Sequence, residues 1–272
     1  MNTSRMLTVA RTDLRQLRQS PDFWGPMALM AALFFVILPS ALLLGVTAVE
    51  ESKTVQELGE QLPTVPTVDE DALSGGDNGP AYGLAVYLFA PLAVVVPMTI
   101  SSAIGANTIV GERERGTGEF LAHTPLSERE IYLGKLVASL VPGYLTTIIG
   151  FGIYSVLVNV IVGPSVGGWF FPTTDWWILM LWVVPPFLAL AISVVLRVSA
   201  RVKSAAAAQQ SSGLVTLPLI ILSYGQSSWG SPRAGYIIGA IAWVAAVIGL
   251  WRGSRAVTRP RLLGVDLDRR RP

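Results

Sequence analysis

Residues 82–135 read YGLAVYLFAPLAVVVPMTISSAIGANTI and then VGERERGTGEFLAHTPLSEREIYLGK. The first run has no charge over 28 residues. About 20 apolar helical residues cross a hydrocarbon core about 30 Å thick, so this run is long enough to span a membrane. It ends in a short segment dense in Glu and Arg, and beyond Lys135 the sequence turns apolar again. Pro91 and Pro97 inside the run predict kinks.

The pattern recurs on both sides. Spans are predicted at about 24–49, 82–109, 131–162, 176–198, 205–222 and 235–251, six in all, within a single membrane domain covering 1–272. The composition agrees: 51% of residues are hydrophobic and 14% charged, against about a quarter charged in soluble domains. There is no cysteine, which excludes disulfides, thiolate metal sites and cysteine nucleophiles. About twenty mostly polar residues precede the first apolar run and no small-residue cleavage site follows it, so no cleaved signal peptide is expected.

Orientation follows from the basic residues, which are retained on the cytoplasmic side. Arg5, Arg11, Arg15 and Arg18 precede the first span, and Arg113, Arg115, Arg129 and Lys135 surround the second connection. Arg197, Arg201 and Lys203 lie between spans four and five, and Arg252, Arg255, Arg259, Arg261 and Arg269 to Arg271 follow span six. That places 18 of the 20 Lys and Arg on one side, with Lys53 and Arg233 on the other. Only an even number of spans with both termini cytoplasmic sorts them this way. A net charge of +2 thus reflects topology and not nucleic-acid binding. The outer loop, 50–80, is acidic and rich in Pro and Gly, with no apolar period.

Residues 1–23 carry Met6, Ala10, Leu14 and Leu17 at helical spacing, with Arg11, Arg15 and Arg18 on another face. This pattern predicts an amphipathic helix lying in the cytoplasmic interface; the alternative is a basic tail that serves only as a topology signal.

In the charged segment, Thr117 is placed to cap a short helix bearing Phe120 and Leu121, Pro125 stops it, and Ser127 with Glu130 forms a capping box that opens the third span. Such a segment is either a rigid helix able to transmit a push between two spans or a compact polar turn. His123 is the only histidine and reads as solvated or capping, so no metal site can be assembled on it. Glu112 and Glu114, and Glu128 and Glu130, are paired by spacing, but their arginine neighbours make a solvated surface the simpler reading. Leu73-Ser-Gly-Gly-Asp77 matches the signature of an ABC ATPase only by coincidence, since it sits in the outer loop. No phosphate-binding loop accompanies it, and Gly134-Lys135 lacks both the upstream glycine and the following Ser/Thr.

The string from Glu112 through Gly116, Thr117, Glu119 and Leu121 to Thr124-Pro-Leu-Ser127, Glu130-Ile131 and Gly134-Lys135 resembles the loop after the second span in ABC-2 type permeases, whose pattern is Glu-Arg-x-x-Gly-Thr-x-Glu-x-Leu before a Pro-Leu-Ser-like turn. Gly118 departs from it, since the family often has an apolar residue there, and this weakens the local helix. The resemblance implies an all-α polytopic membrane protein with six transmembrane helices, an N-terminal amphipathic interfacial helix, and a cytoplasmic coupling helix between spans two and three. It implies a permease subunit that is not itself an enzyme. This subunit would pair with an ABC ATP-binding subunit and a second permease subunit, as homo- or heterodimer, in the cell membrane. ATP and Mg would be bound by the partner ATPase and no cofactor by this chain.

On the same resemblance Glu112, Arg113, Arg115, Gly116, Thr117, Glu119, Phe120, Leu121 and Pro125 form the ATPase-coupling surface. The polar intramembrane residues Ser101, Ser102, Asn107, Gln209, Gln210 and Ser212 suit a translocation path or dimer seam, or equally ordinary helix packing. No ionisable residue falls at mid-depth, which favours a lipid-like or amphipathic cargo over ions. A scaffold that docks an ATPase without moving cargo is the alternative function; an intramembrane enzyme is disfavoured by the lack of buried acids, histidines and cysteines.

Overall fold

The computed structural model describes residues 3–48, 79–114, 123–202 and 232–255, together with 116, 117, 119, 204, 206, 207 and 210. Every regular element among them is helical. Five of the helices are long and apolar enough to cross a membrane. We label the amphipathic N-terminal helix Thr3–Gln19 as α1 and the spans as α2 (Trp24–Ala48), α3 (Ala81–Glu112), α4 (Glu128–Ile161), α5 (Thr174–Ser199) and α6 (Gly235–Gly253). These match five of the six predicted spans within a few residues. The predicted span at 205–222 and the outer loop at 50–80 lie largely or wholly outside the described residues.

α3 and α5 form the buried centre, while α2, α4 and α6 pack around them and leave apolar faces open. On α4 the open stripe is Leu145, Ile149, Ile153, Val156 and Val160; on α6 it is Ile237, Ile241, Val244, Ile248 and Trp251. Both stripes repeat every three or four residues, as expected for a helix with one face on lipid.

Prolines shape the core spans. A π-helical turn interrupts each of α2, α3 and α5, at Leu33–Ile37, Leu84–Leu88 and Leu179–Val183. A proline ring clashes with the carbonyl four residues back and removes one helical donor. For Pro39, Pro91 and Pro185 the residue four back is Phe35, Tyr87 and Leu181, and each lies inside a π turn. The widened turn accommodates the proline and frees backbone carbonyls, which in lipid must find protein donors. Side chains donate to carbonyls of the widened turns: Tyr154 Oη to Ala85 O and Trp176 Nε1 to Val86 O at 2.8 Å, Tyr144 Oη to Met180 O at 3.0 Å and, within its own helix, Ser40 Oγ to Val36 O at 2.6 Å. Aromatic side chains therefore supply donors at two of the three kinks as well as filling the core, where Phe151 and Tyr154 each contact Phe171 and Trp176, which also contact each other.

At the end of the bundle where α4 closes, Asn159 fastens the α4–α5 connection. Its Nδ2 donates to Phe171 O at 2.6 Å, and its Oδ1 accepts from the Phe170 and Phe171 amides at 2.9 and 3.0 Å. Phe171 is thereby fully buried.

Candidate functional site

At the opposite end of the bundle, α1 meets the C-terminus of α3 and the N-terminus of α4, and Glu112 and Asn107 of the predicted site residues lie there. The α3 helix is stopped by chemistry local to the chain. Gly116 has φ +71°, and Thr117 N donates to Glu112 O at 2.9 Å. This is the six-to-one hydrogen bond of a Schellman closure, with glycine at the left-handed position. The Thr117 hydroxyl donates to the same carbonyl at 3.2 Å and so helps close the preceding helix, while most of the short helix it was expected to cap lies outside the described residues. The α4 helix starts as predicted: Ser127 Oγ accepts from Glu130 N at 3.3 Å and Glu130 Oε2 accepts from Ser127 N at 3.0 Å, a complete capping box.

Two turns into α4 stands Lys135, 1% exposed. Its Nζ lies 2.6 Å from Glu112 Oε1 and 3.5 Å from Asp13 Oδ2, and it donates to Thr108 O at 3.3 Å. Three helices thus meet at one ammonium group. Burying a charge unpaired is very costly, whereas a lysine surrounded by two carboxylates and a carbonyl is compensated and orients its neighbours. For Glu112 this corrects the expectation of a solvated surface shared with arginines, because the carboxylate is taken by a buried lysine that a linear reading assigns only to topology. Glu114, by contrast, is exposed.

The α1 helix presents the face predicted to be apolar, with Val9 and Ala10 buried and Met6, Leu14 and Leu17 half-buried. That face rests on α4. A Cβ added at Gly134 would come within 2.7 Å of Val9 Cβ and 2.9 Å of Met6 O, so the glycine permits the close approach. Arg5 Nη1 adds a long contact to Pro125 O at 3.5 Å. Beside the ion group lies a cavity of about 140 Å³, lined by Asp13, Gln16, Asn107, Thr108, Glu112 and Lys135 among others.

Of the remaining predicted site residues, Glu119 is exposed and its carbonyl accepts from His123 N at 3.1 Å, a helical spacing. Pro125 is exposed. Arg115, Phe120, Leu121, Gln209 and Ser212 lie outside the described residues, as does the side chain of Arg113. Ser101 and Ser102 are buried inside the bundle, where Ser101 faces Gly143 of α4. Asn107 is half-buried, lines the cavity, and donates to Ala103 O at 3.0 Å. Gln210 is exposed. Among the described residues no group of three or more His, Asp or Glu is placed to hold a metal.

Two polar links between spans were missed by sequence reasoning. Ser199 Oγ donates to Ala106 O at 2.7 Å and accepts from Val110 N at 3.3 Å, tying α5 to α3. Tyr132 Oη donates to Ser193 Oγ at 2.8 Å and Ser193 Oγ to Gly249 O at 2.9 Å, joining α4, α5 and α6. The one advance signal was the isolation of Ser193 and Ser199 within an otherwise apolar span.

The described residues here form a clamped polar connection between two spans, with an amphipathic helix laid against it. No curated protein matches the chain in a direct comparison of sequences. The family model for ABC-2 family transporter proteins matches residues 7–249, nearly the whole chain. The chain is a member of the ABC-2 transporter family, a multi-pass membrane subunit of the permease type.

Proposed function

We propose that this permease is the membrane half of an ATP-driven exporter. Two permease subunits, identical or related, work with two copies of a separate ATPase that binds ATP and Mg, and the charged segment after α3 docks in that ATPase. The observation that carries this reading is the clamp around the segment, with a Schellman closure before it, a capping box after it, and the Lys135 ion group joining both flanking spans to α1. Caps at both ends fix the segment's direction relative to the spans. A displacement imposed on residues 116–123 by ATPase dimerisation would then tilt α3 and α4 together and switch access across the membrane. Both termini and the segment are cytoplasmic in this reading, on the strength of the Lys and Arg distribution.

The test is a double substitution, Glu119→Lys with Phe120→Ala. Neither residue lies within a span, so insertion and expression remain near normal. A large apolar side chain buried against a partner contributes roughly 1.5–3 kcal/mol, so loss of Phe120 weakens ATPase co-purification by about 10- to 150-fold and abolishes transport-linked stimulation of hydrolysis. Unchanged co-purification with unchanged hydrolysis refutes the docking role and leaves a permease whose polar turn has no partner.

A further inference from the structure

Val194, Arg197 and Val198 follow one another at i, i+3 and i+4 on one face of α5, and Arg201 stands in the turn just past its end. They line a slot of about 220 Å³ at the basic end of the bundle. Arg197 is half-buried, and its Nε donates to Ser193 O at 3.0 Å, which fixes the root of the guanidinium. Arg201 is exposed one turn further out. Among the described residues no carboxylate pairs with either arginine, and the two ion pairs found there both belong to Lys135.

We infer that the Arg197–Arg201 slot binds the phosphate of an anionic phospholipid from the adjoining leaflet. Two guanidinium groups one turn apart offer forked donors that suit phosphate oxygens, and guanidinium pairs with phosphate bidentately where ammonium acts as a point charge. Val194 supplies an apolar wall one turn to the membrane side of Arg197, where an acyl chain continues from the headgroup, and Val198 lies between the two arginines. A free anion would leave that wall uncovered. The slot lies outside the clamp: its described lining, at the end of α5 and in the turn after it, uses none of the residues assigned to ATPase docking. It also has a route inward, because the carbonyl that holds Arg197 belongs to Ser193, whose hydroxyl joins α4 and α6. An occupied slot therefore stiffens the junction of three spans.

The experiment uses the full chain, delipidated in mild detergent, with thermal unfolding and native mass spectrometry read against added lipid. Phosphatidylglycerol raises the melting temperature and stays bound, and phosphatidylcholine does so far less. Arg197→Gln with Arg201→Gln weakens the phosphatidylglycerol response by about thirtyfold, equivalent to the roughly 2 kcal/mol that two interfacial arginines supply. Arg201→Gln alone, at an exposed position that leaves the Ser193 contact in place, gives a smaller loss with unaltered stability in the absence of lipid. Arg252→Gln, an exposed arginine at the end of α6, leaves the response unchanged. The proposal is overturned if both lipids stabilise equally, if Arg252→Gln matches the double variant, or if inorganic phosphate alone reproduces the shift.

Discussion

Replacing Lys135 with methionine keeps most of the side-chain volume and removes the charge on which α1, α3 and α4 converge. At an effective dielectric constant of about 20, unit charges at the observed separations of 2.6 and 3.5 Å attract by about 6 and about 5 kcal/mol before desolvation is counted. Desolvation offsets several kcal/mol per ion, so these gross figures do not measure stability. The loss on substitution is the compensation of two carboxylates already withdrawn from water. Removing one partner of a buried pair typically costs about 3–5 kcal/mol. Asp13 and Glu112 each keep 17% exposure and border a cavity that admits water, which favours the lower edge, about 3 kcal/mol. For a chain of this size that corresponds to a fall in melting temperature of about 6–12 °C. The assay is thermal unfolding of the purified protein in mild detergent, followed by the retained monodisperse fraction. The decisive comparison is Lys135→Met combined with Glu112→Gln and Asp13→Asn. This triple variant leaves no uncompensated charge and recovers more than half of the loss. The reasoning is refuted if the single variant melts within about 2 °C of the parent, or if the triple variant is no more stable than the single.

Gly134→Val forces α1 away from α4, because its Cβ alone falls 2.7 Å from Val9 Cβ; about 1–3 kcal/mol of overpacking is expected, with α1 becoming sensitive to protease in inside-out vesicles while the spans stay protected. Asn159→Ala leaves the amides of Phe170 and Phe171 without their side-chain partner and the carbonyl of Phe171 with only the Ser155 hydroxyl at 3.3 Å; at about 1–3 kcal/mol per stranded buried group it is as damaging as Lys135→Met in the same thermal unfolding assay. Because the chain has no cysteine, single cysteines report topology directly: those at 71 and 165 react with impermeant reagent from outside and those at 119 and 203 only after permeabilisation, and an inside signal from 71 would end the six-span arrangement.

The spans were legible because lipid imposes a simple demand. A segment that crosses must be apolar for about 20 residues and must satisfy its own backbone, and both requirements are visible in linear sequence. The capping box at Ser127 and Glu130 was legible for a related reason: its partners are three residues apart and its geometry is closed within one turn. The closure of α3 by Thr117 was not foreseen, because it depends on the positive φ of Gly116, which a hydroxyl's position in the sequence does not report. The ion group was invisible. Asp13 and Lys135 are 122 residues apart, and nothing in either local pattern names the other. A lysine at the start of a span reads equally well as a topology signal and as a buried charge. The prolines were read as kinks, but the donors that answer the freed carbonyls were not foreseen, since Tyr154 and Trp176 reach Ala85 and Val86 from other helices.

By itself, then, the sequence determined the class of solvent around this protein, the number and approximate limits of the described spans, and the local closures of the charged connection, because hydropathy, charge and capping act over a few residues to a few turns. The tertiary structure alone decided that the N-terminal helix lies on α4 at Gly134, that Lys135 is held between Asp13 and Glu112, and that Ser193 and Ser199 join spans. Those pairings depend on which helix faces are brought within a few ångströms of each other, and side-chain electrostatics and hydrogen bonding act only at that range.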